Sequence, residues 1–423
     1  LLRIFSASQF LSDLLIRHPG FFEDVTDPEK IHSTRGYGEL YEELSAIRLG
    51  AAQSDESWRR ELRMFRHRHI LRIGSRDICY GVSLEEIFSE LSSLAEAVLQ
   101  AALDYRLEQL PGGGSAAGSV CVVALGKLGG GELNYSSDID LVILYDPAEL
   151  EAAGESIAAP AGKRSGVQAA GEGADKIRKV VQAIRADIAD PTEEGRAYRV
   201  DFRLRPYGGS GDLVSTPRQL EEYYRTAAGL WEYQALLKAR AVAGNRSLGS
   251  RVVQGIRNRH LPGLRTEEVI STVREARSAS DKPAEEVARI DVKEAPGGLR
   301  DIEFLLQGLQ LIHAAESPEI VCGATLDAIA LLHGHGYLGE TTAELLSEAY
   351  RFLRRVEHFL QLLEDRQEHS LPAGRRAMEA LSRRMRWTRL CSGDFSSRLR
   401  ETMEEVRSVF LRVLDDEEDK TTF

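Results

Sequence analysis

The chain is short of cysteine and of positive charge, and it has no long apolar run; each shortage removes a class of function. Its four cysteines, Cys79, Cys121, Cys322 and Cys391, stand far apart with no CxxC pair. That excludes a disulfide framework and a cysteine-rich zinc site, and makes a reducing cytoplasm the expected compartment. Acidic residues outnumber basic ones, 66 to 54, for a formal net charge of −12. A surface that tracks DNA or RNA backbone needs the opposite balance, so no nucleic-acid partner is expected. Any polyanion site must then be a local cluster of Arg and Lys. No apolar run approaches the roughly 20 residues that span a bilayer, and no signal peptide is visible, so no membrane role is expected. Internal repeats of solenoid length are also missing. The chain opens Leu1-Leu2-Arg3 without a methionine, as a fragment would. With 43% hydrophobic and 28% charged residues among 423, the rest reads as an ordinary globular protein of two or three domains.

Hydrophobic period divides the chain into three parts. Residues 1–110 read as an N-terminal helical region. Ser83 and Glu86 have the spacing of a capping box, and Leu84, Ile87, Leu91, Leu94, Val98, Ala102 and Tyr105 follow three and four apart. Pro111-Gly112-Gly113-Gly114-Ser115 breaks that pattern as a linker or turn. The middle part, 111–247, changes period: Val120 to Leu125 and Ile139 to Tyr145 are short apolar runs suited to buried strands. Between Pro147 and Gly173 the composition turns to Ala, Gly and Glu, as in a mobile surface insertion, and a helix is expected over Asp175 to Ala189. From Tyr198 to Arg205 apolar and charged residues alternate, predicting a half-buried strand with Arg199, Asp201, Arg203 and Arg205 on one face. Residues 248–423 return to helical period. Leu346, Ala349, Leu353, Val356, Leu360 and Leu363 form a bundle seam, and an earlier helix from Leu299 sets Ile302, Leu305 or Leu306, Leu309 and Ile312 against a polar stripe of Arg300, Glu303, Gln307 and Gln310. The fold class is therefore α+β: a mixed sheet with helices between an N-terminal helical segment and a C-terminal helical bundle.

The chemistry concentrates in Gly126 to Leu141, GKLGGGELNYSSDIDL. Asp138 and Asp140, one residue apart at the head of an apolar strand, project to the same side. Two hard oxygen ligands beside glycines that admit close backbone approach suit Mg²⁺ carrying a nucleotide phosphate. Asp201 is placed to add a third carboxylate, and Arg203 and Arg205 to pair with phosphate oxygens through their forked donors. Such a cluster can hold two divalent ions about 3.5–4 Å apart, activating the attacking oxygen and stabilising the leaving one. An isolated D-x-D is most often a turn, a cap or a solvated pair, and a strand of alternating charge is usually an outer sheet face. Their conjunction with the glycine turn and Ser137 points to nucleotidyl transfer.

Other chemistries fit less well. GKLGGGEL lacks the order of a P-loop, since Lys127 follows the first glycine, and GxGxxG is absent. His67 and His69, in RHRH, sit among arginines, a poor place for a cation, and are expected to be exposed on a helix. His313, His333, His335 and His358 show no helical ligand pair, and no Ser-His-Asp arrangement is supported.

GKLGGGELNYSSDIDL resembles the nucleotidyltransferase pattern GSxxxGxxxxxSDxDL, with Gly126, Gly131, Ser137, Asp138, Asp140 and Leu141 in register. Lys127 replaces the usual Ser, a departure that resembles the glutamine synthetase adenylyltransferase/adenylyl-removing enzymes. YRVDFRLRPYGGSGDLVS (198–215) is similar to that family's RVDxRLRPxGxSGPLV, with Asp212 in place of Pro. WEYQALLKARAVAGN (231–245), DVKEAPGGLRDIEFLLQGLQLI (291–312) and YRFLRRVEHFLQ (350–361) resemble its later motifs in the same order.

The resemblance implies a polymerase-beta-like nucleotidyltransferase core, with Asp138, Asp140 and Asp201 as ligands of Mg²⁺, two ions being expected. Gly126, Lys127, Gly131 and Ser137 would line the phosphate turn. Arg203 and Arg205, with Lys238 and Arg240, would neutralise phosphate. The polar stripe of Arg300, Glu303, Gln307 and Gln310 would face either the active site or a partner, or else be a solvated helix face. The substrates implied are ATP or ADP with inorganic phosphate, the protein substrate is glutamine synthetase, and the PII signalling protein is an expected partner. Because GGGELNYSSDIDL and GGLRDIEF look like the N-terminal, adenylyl-removing half of that family, the favoured direction is removal of AMP from adenylyl-tyrosine by phosphorolysis. Adenylylation from ATP is the alternative. A non-catalytic nucleotide- or PII-binding module, and transfer to a small molecule or an RNA end, are the rivals.

Overall fold

The computed structural model describes residues 1–51, 54–110, 117–155, 166–278, 290–385 and 394–421. It is a mixed α/β structure, mostly helical, around a small mixed sheet. Strand β1 (Val120–Leu125) and strand β2 (Ile139–Tyr145) occupy the spans their apolar runs predict. They pair antiparallel, with Leu125 opposite Asp140. The two-residue strands β3 (Val200–Asp201) and β4 (Val214–Ser215) both run parallel to β2, and β5 (Arg240–Gly244) is antiparallel to β1 on its other side. Every residue of β1 is buried because helices cover both faces of the sheet, which is why the strand reads as a continuous apolar run rather than an alternation. The Arg246–His260 helix lies so close on one face that a Cβ added at Gly249 would sit 2.4 Å from Cys121 Sγ.

The helix Leu84–Glu108 buries Ile87, Leu91, Leu94, Val98 and Ala102, as its period predicts. Its start is only half a capping box. Ser83 Oγ accepts the Glu86 N–H at 3.2 Å, but the Glu86 carboxylate turns instead to Thr34 and Arg76. The helix Asp55–Tyr80 carries the RHRH motif, and here the structure corrects the sequence expectation: His67 and His69 are both buried. This helix is covered on all sides, so polar residues that would mark a solvent face instead bond inward. Arg63, fully buried, donates to the carbonyls of Gly195, Asp187, Asp190 and Arg59.

The stretch expected to be an irregular insertion is helical at both ends, Pro147–Glu155 and Gly166–Ala189, while residues 156–165 lie outside the described residues, as does the linker Pro111–Ser115. The strand expected over 198–205 is a larger departure. Pairing stops at Asp201, because its carboxylate accepts the Arg203 backbone N–H at 2.7 Å and turns the chain. Past residue 248 the chain is helical. The seam of the Glu340–Glu364 helix is buried from Leu346 to Leu360, and Leu299–His313 buries Ile302, Leu305, Leu306 and Leu309. Among the described residues no helix is long and apolar enough to cross a membrane, and Cys121 and Cys322 are free thiols.

Burial, with Arg66 and Arg17 nearby, pushes His67 down to about 3 from its ordinary 6.5. Between those values the unfolded chain binds a proton that the folded chain refuses, so stability falls as pH falls through this window. From pH 7.5 to 5 this one group should cost about 2 kcal/mol. Urea unfolding of wild type and His67→Phe at both pH values should show a slope shallower by that amount in the variant.

Candidate active site

The pairing of β1 with β2 sets the site. Opposite Asp140, β1 ends at Leu125 and the short helix Gly126–Gly129 begins. Gly126 has φ +55°, and a Cβ there would lie 2.4 Å from Asp140 Oδ2, so only glycine leaves room for that carboxylate. Gly129 serves packing: a Cβ on it would run into the Lys238 carbonyl at 2.0 Å. Arg240 closes the turn from behind, donating to the carbonyls of Gly129 at 3.0 Å and Leu128 at 2.9 Å and pairing with Glu96 at 2.7 Å.

Parallel pairing of β2 with β3 puts Asp140 in register with Asp201, one strand spacing of about 4.8 Å away. Asp138 stands just before β2 on the same side. Burial and the carboxylates of Asp201 and Asp138 push Asp140 up to about 6, against the pull of Lys293 and Arg203. Arginines hold the two flanking acids: Arg199 Nε lies 2.5 Å from Asp138 Oδ1 and also bonds the Ser136 carbonyl, and Arg203 Nε lies 2.8 Å from Asp201 Oδ2. Burial works to raise Asp201, but its bonds to the Arg203 side chain and backbone outweigh it and hold the carboxyl below its usual range. With Asp138 and Asp201 each drawn to an arginine, the three acids are not gathered into one shell. Among the described residues the group with ligand atoms all within 4.8 Å is His18, His67 and Glu194, and cationic Arg17, Arg63 and Arg66 near His67 disfavour a metal there. The aspartates nevertheless fit a divalent cation by chemistry, offering hard oxygens in adjacent registers with an excess of negative charge that raises Asp140.

These residues open into a cavity of about 480 Å³. Gly126, Lys127, Ser137, Asp138, Asp140, Asp201, Arg203 and Lys238 all line it. Three residues proposed from sequence do not. Gly131, at φ +72°, completes the turn away from the cavity. Arg240 holds the back of that turn, and Arg205 folds its own loop by donating to the carbonyls of Phe202, Gly209 and Gly211. A larger cleft of about 770 Å³ lies between C-terminal helices, lined by Leu338, Thr342, Glu404, Arg412 and Asp416, remote from the glycine turn and the acids.

The far wall comes from residues with no short-range signal. Lys293, Trp231, Gln361, Gln367 and His369 line the cavity, as do Arg300, Glu303 and Gln307 of the polar stripe. The fourth member of that stripe, Gln310, is buried and donates to the Ile320 and Cys322 carbonyls. Lys127 Nζ pairs with Glu357 Oε1 at 2.7 Å, and burial pushes this lysine down to about 8. Lys238 Nζ sits 3.2 Å from Glu132 and 3.5 Å from Glu303. Burial works to lower it, yet the two carboxylates outweigh that and raise it. Only the motifs 231–245, 291–312 and 350–361, quoted above for their resemblance, pointed toward this wall.

Residues 1–254 match the family model described as glutamate-ammonia ligase adenylyltransferase, and residues 268–414 match that of GlnD PII-uridylyltransferase. Similar relatives are each named bifunctional glutamine synthetase adenylyltransferase/adenylyl-removing enzyme. The one from Streptomyces avermitilis is 36% identical over 374 residues, covering 88% of this chain and 35% of the relative. That from Nitrosococcus oceani is 34% identical (87% and 38%), and that from Pseudomonas aeruginosa is 33% identical (88% and 37%). The chain thus spans little more than a third of the length of these curated relatives. With the first family model matching well over half of the chain, it belongs to the glutamate-ammonia ligase adenylyltransferase family, a family of nucleotidyltransferase enzymes.

Proposed function

We propose that this chain catalyses metal-dependent nucleotidyl transfer on a tyrosine of glutamine synthetase, in the direction that removes AMP by phosphorolysis and releases ADP. The observation that carries this reading is that Asp138, Asp140 and Asp201 line one cavity beside a glycine turn, together with lysines. The relatives' printed names supply the protein substrate and both directions. Removal is favoured by the resemblance of GGGELNYSSDIDL and GGLRDIEF to the adenylyl-removing half. On this reading the sheet and its acids form a polymerase-beta-like core spanning 111–247, between a helical region and a bundle. PII is its regulatory partner and the cytoplasm its compartment.

Asp138, Asp140 and Asp201 would hold Mg²⁺, two ions by the logic of such clusters, which would supply charge neutralisation at the transferring phosphorus and at the entering and leaving oxygens. The chain's own residues do the rest. Lys293, close enough to lower Asp140, and Arg203 with its always-charged guanidinium face the phosphates. Lys127 and Lys238, already bound to carboxylates, keep fixed positions and so stabilise developing charge without reorganisation. The glycine turn admits the phosphate chain near the Gly126 backbone. Trp231, half exposed on the rim, offers a face on which adenine can stack.

Asp140→Asn should lower turnover by on the order of 10²–10³-fold or more. It should also relieve carboxylate repulsion, so that the variant melts at or above the wild-type temperature in metal-free buffer at pH 8. Intact folding with activity within tenfold of wild type would remove the aspartates from the mechanism. Gly126→Ala should combine backbone strain with displacement of the Asp140 carboxylate and lose activity comparably, seen as a lower kcat with little change in far-UV circular dichroism. For direction, the chain incubated with adenylylated glutamine synthetase, Mg²⁺ and phosphate should release ADP. If no ADP forms while ATP labels the unmodified enzyme, the chain runs as the adenylylating half.

A further inference from the structure

We propose that His369 is the general acid–base for the tyrosine oxygen and that Glu357 is its positioning residue; this deepens, and rests on, the tyrosine-transfer reading above. His369 is the one histidine among the residues lining the cavity of the three aspartates. Its Nδ1 lies 3.0 Å from Glu357 Oε1, an ion-pair contact not aligned as a hydrogen bond, which a small turn of the ring would align while leaving Nε2 as the nitrogen available to a reactant. The backbone around it is fixed by pairing with the Lys293 loop. Val292 N–H donates to the His369 carbonyl at 3.0 Å, Leu371 N–H to that of Ile290 at 2.8 Å, and Asp291 bridges to Ser370.

Glu357 is suited to the supporting role. It is fully buried on the Glu340–Glu364 helix and surrounded by donors: Lys127 at 2.7 Å, Asn134 Nδ2 at 2.6 Å and Arg354 at 3.0 Å. Burial works to raise this carboxyl, but Lys127 and Arg354 outweigh it and hold it well below the usual range, so it stays ionised. An ionised carboxylate behind an imidazole fixes its tautomer and orientation and stabilises the imidazolium form. The charged groups facing His369 and Glu357 are Arg354 on the same helix, Lys127 on the glycine turn and Lys293 on the paired loop. The two buried lysines of the cavity are poorer proton donors to a substrate, since Lys127 is bonded to Glu357 and Lys238 to Glu132 and Glu303.

The chemistry gains from such a group, because a phenol with a pKa of about 10 leaves more readily when its oxygen is protonated as the bond breaks. In removal, a phosphate oxygen forms a bond to the AMP phosphorus and the bond from phosphorus to the tyrosine oxygen breaks. The electron pair of that bond goes to the phenolic oxygen, which receives the Nε2 proton of His369. In adenylylation neutral His369 takes the tyrosine proton as the oxygen attacks the α-phosphorus of ATP and pyrophosphate leaves, so the same residue serves both reactions.

The test compares two forms of adenylylated glutamine synthetase: one with tyrosine at the modified position, the other with a fluorinated tyrosine whose phenol is far more acidic and departs without protonation. For His369→Gln in the 423-residue chain, kcat/KM should fall by about 10²-fold or more on the tyrosine form and by less than about fivefold on the fluorinated form. The ratio of the tyrosine form to the fluorinated form is internal to each preparation, so partial unfolding of a variant cancels from it. An equal loss on both forms, or a loss under about threefold on tyrosine, overturns the role of His369 while leaving the tyrosine-transfer reading intact. A wild-type chain that neither releases ADP from either adenylylated form with phosphate nor labels the unmodified enzyme from ATP overturns both.

Discussion

A single buried carboxylate ties the molecule together. Glu357 has no access to solvent, and it meets Lys127 from the glycine turn, Asn134 from the segment leading to β2, Arg354 from its own helix and His369 from the far wall. Isolating such a charge in a low-dielectric interior would cost several kcal/mol, so it persists only because every side is answered by a donor. Those donors come from regions more than two hundred residues apart in sequence, and their convergence places the cavity walls at fixed separation. Removing one partner would leave charge uncompensated, which makes this network more demanding of its geometry than any of the apolar seams around it.

The sheet contributes a different constraint. Antiparallel pairing of β1 with β2 brings the glycine turn opposite Asp140, while parallel pairing of β2 with β3 delivers Asp201 to the same edge. Three carboxylates placed this way repel, and the structure answers with Arg199 on Asp138 and Arg203 on Asp201, leaving Asp140 to carry the strain as a raised affinity for protons. Arg199 is thus a member of the site, although on the alternating face it looked no different from Arg205, which only folds its own loop.

Much of this was legible in the residues, and the limits are physical. Strands β1 and β2 could be read because both faces are buried and the apolar runs are unbroken. The helix Leu84–Glu108 could be read because its large apolar residues keep helical spacing, although small residues such as Ala95 and Ala97 let it be buried on its other sides as well. The 198–205 alternation misled because a side chain, Asp201, caps its neighbour's N–H and ends the pairing, something period cannot register. RHRH misled because the helix Asp55–Tyr80 is covered all round, so polar residues lost their meaning as a surface marker. Of the site, the aspartates and Lys127 stood out by local chemistry. Lys293, Glu357 and His369 did not, since their part depends on tertiary contacts that no local spacing encodes.

The reach of Lys127 to Glu357 also bears on where the chain could be divided. The last strand of the sheet ends at Gly244, and hydrophobic period alone would recommend a splice point just after it. Yet a piece excised there would carry a buried ammonium stripped of its counter-charge, with Asn134 and the Glu132 carbonyl, the acceptor of Arg354, deprived of their mates. The glycine turn is therefore braced by a helix that lies far off in the sequence, and the two stretches share one buried network of charge.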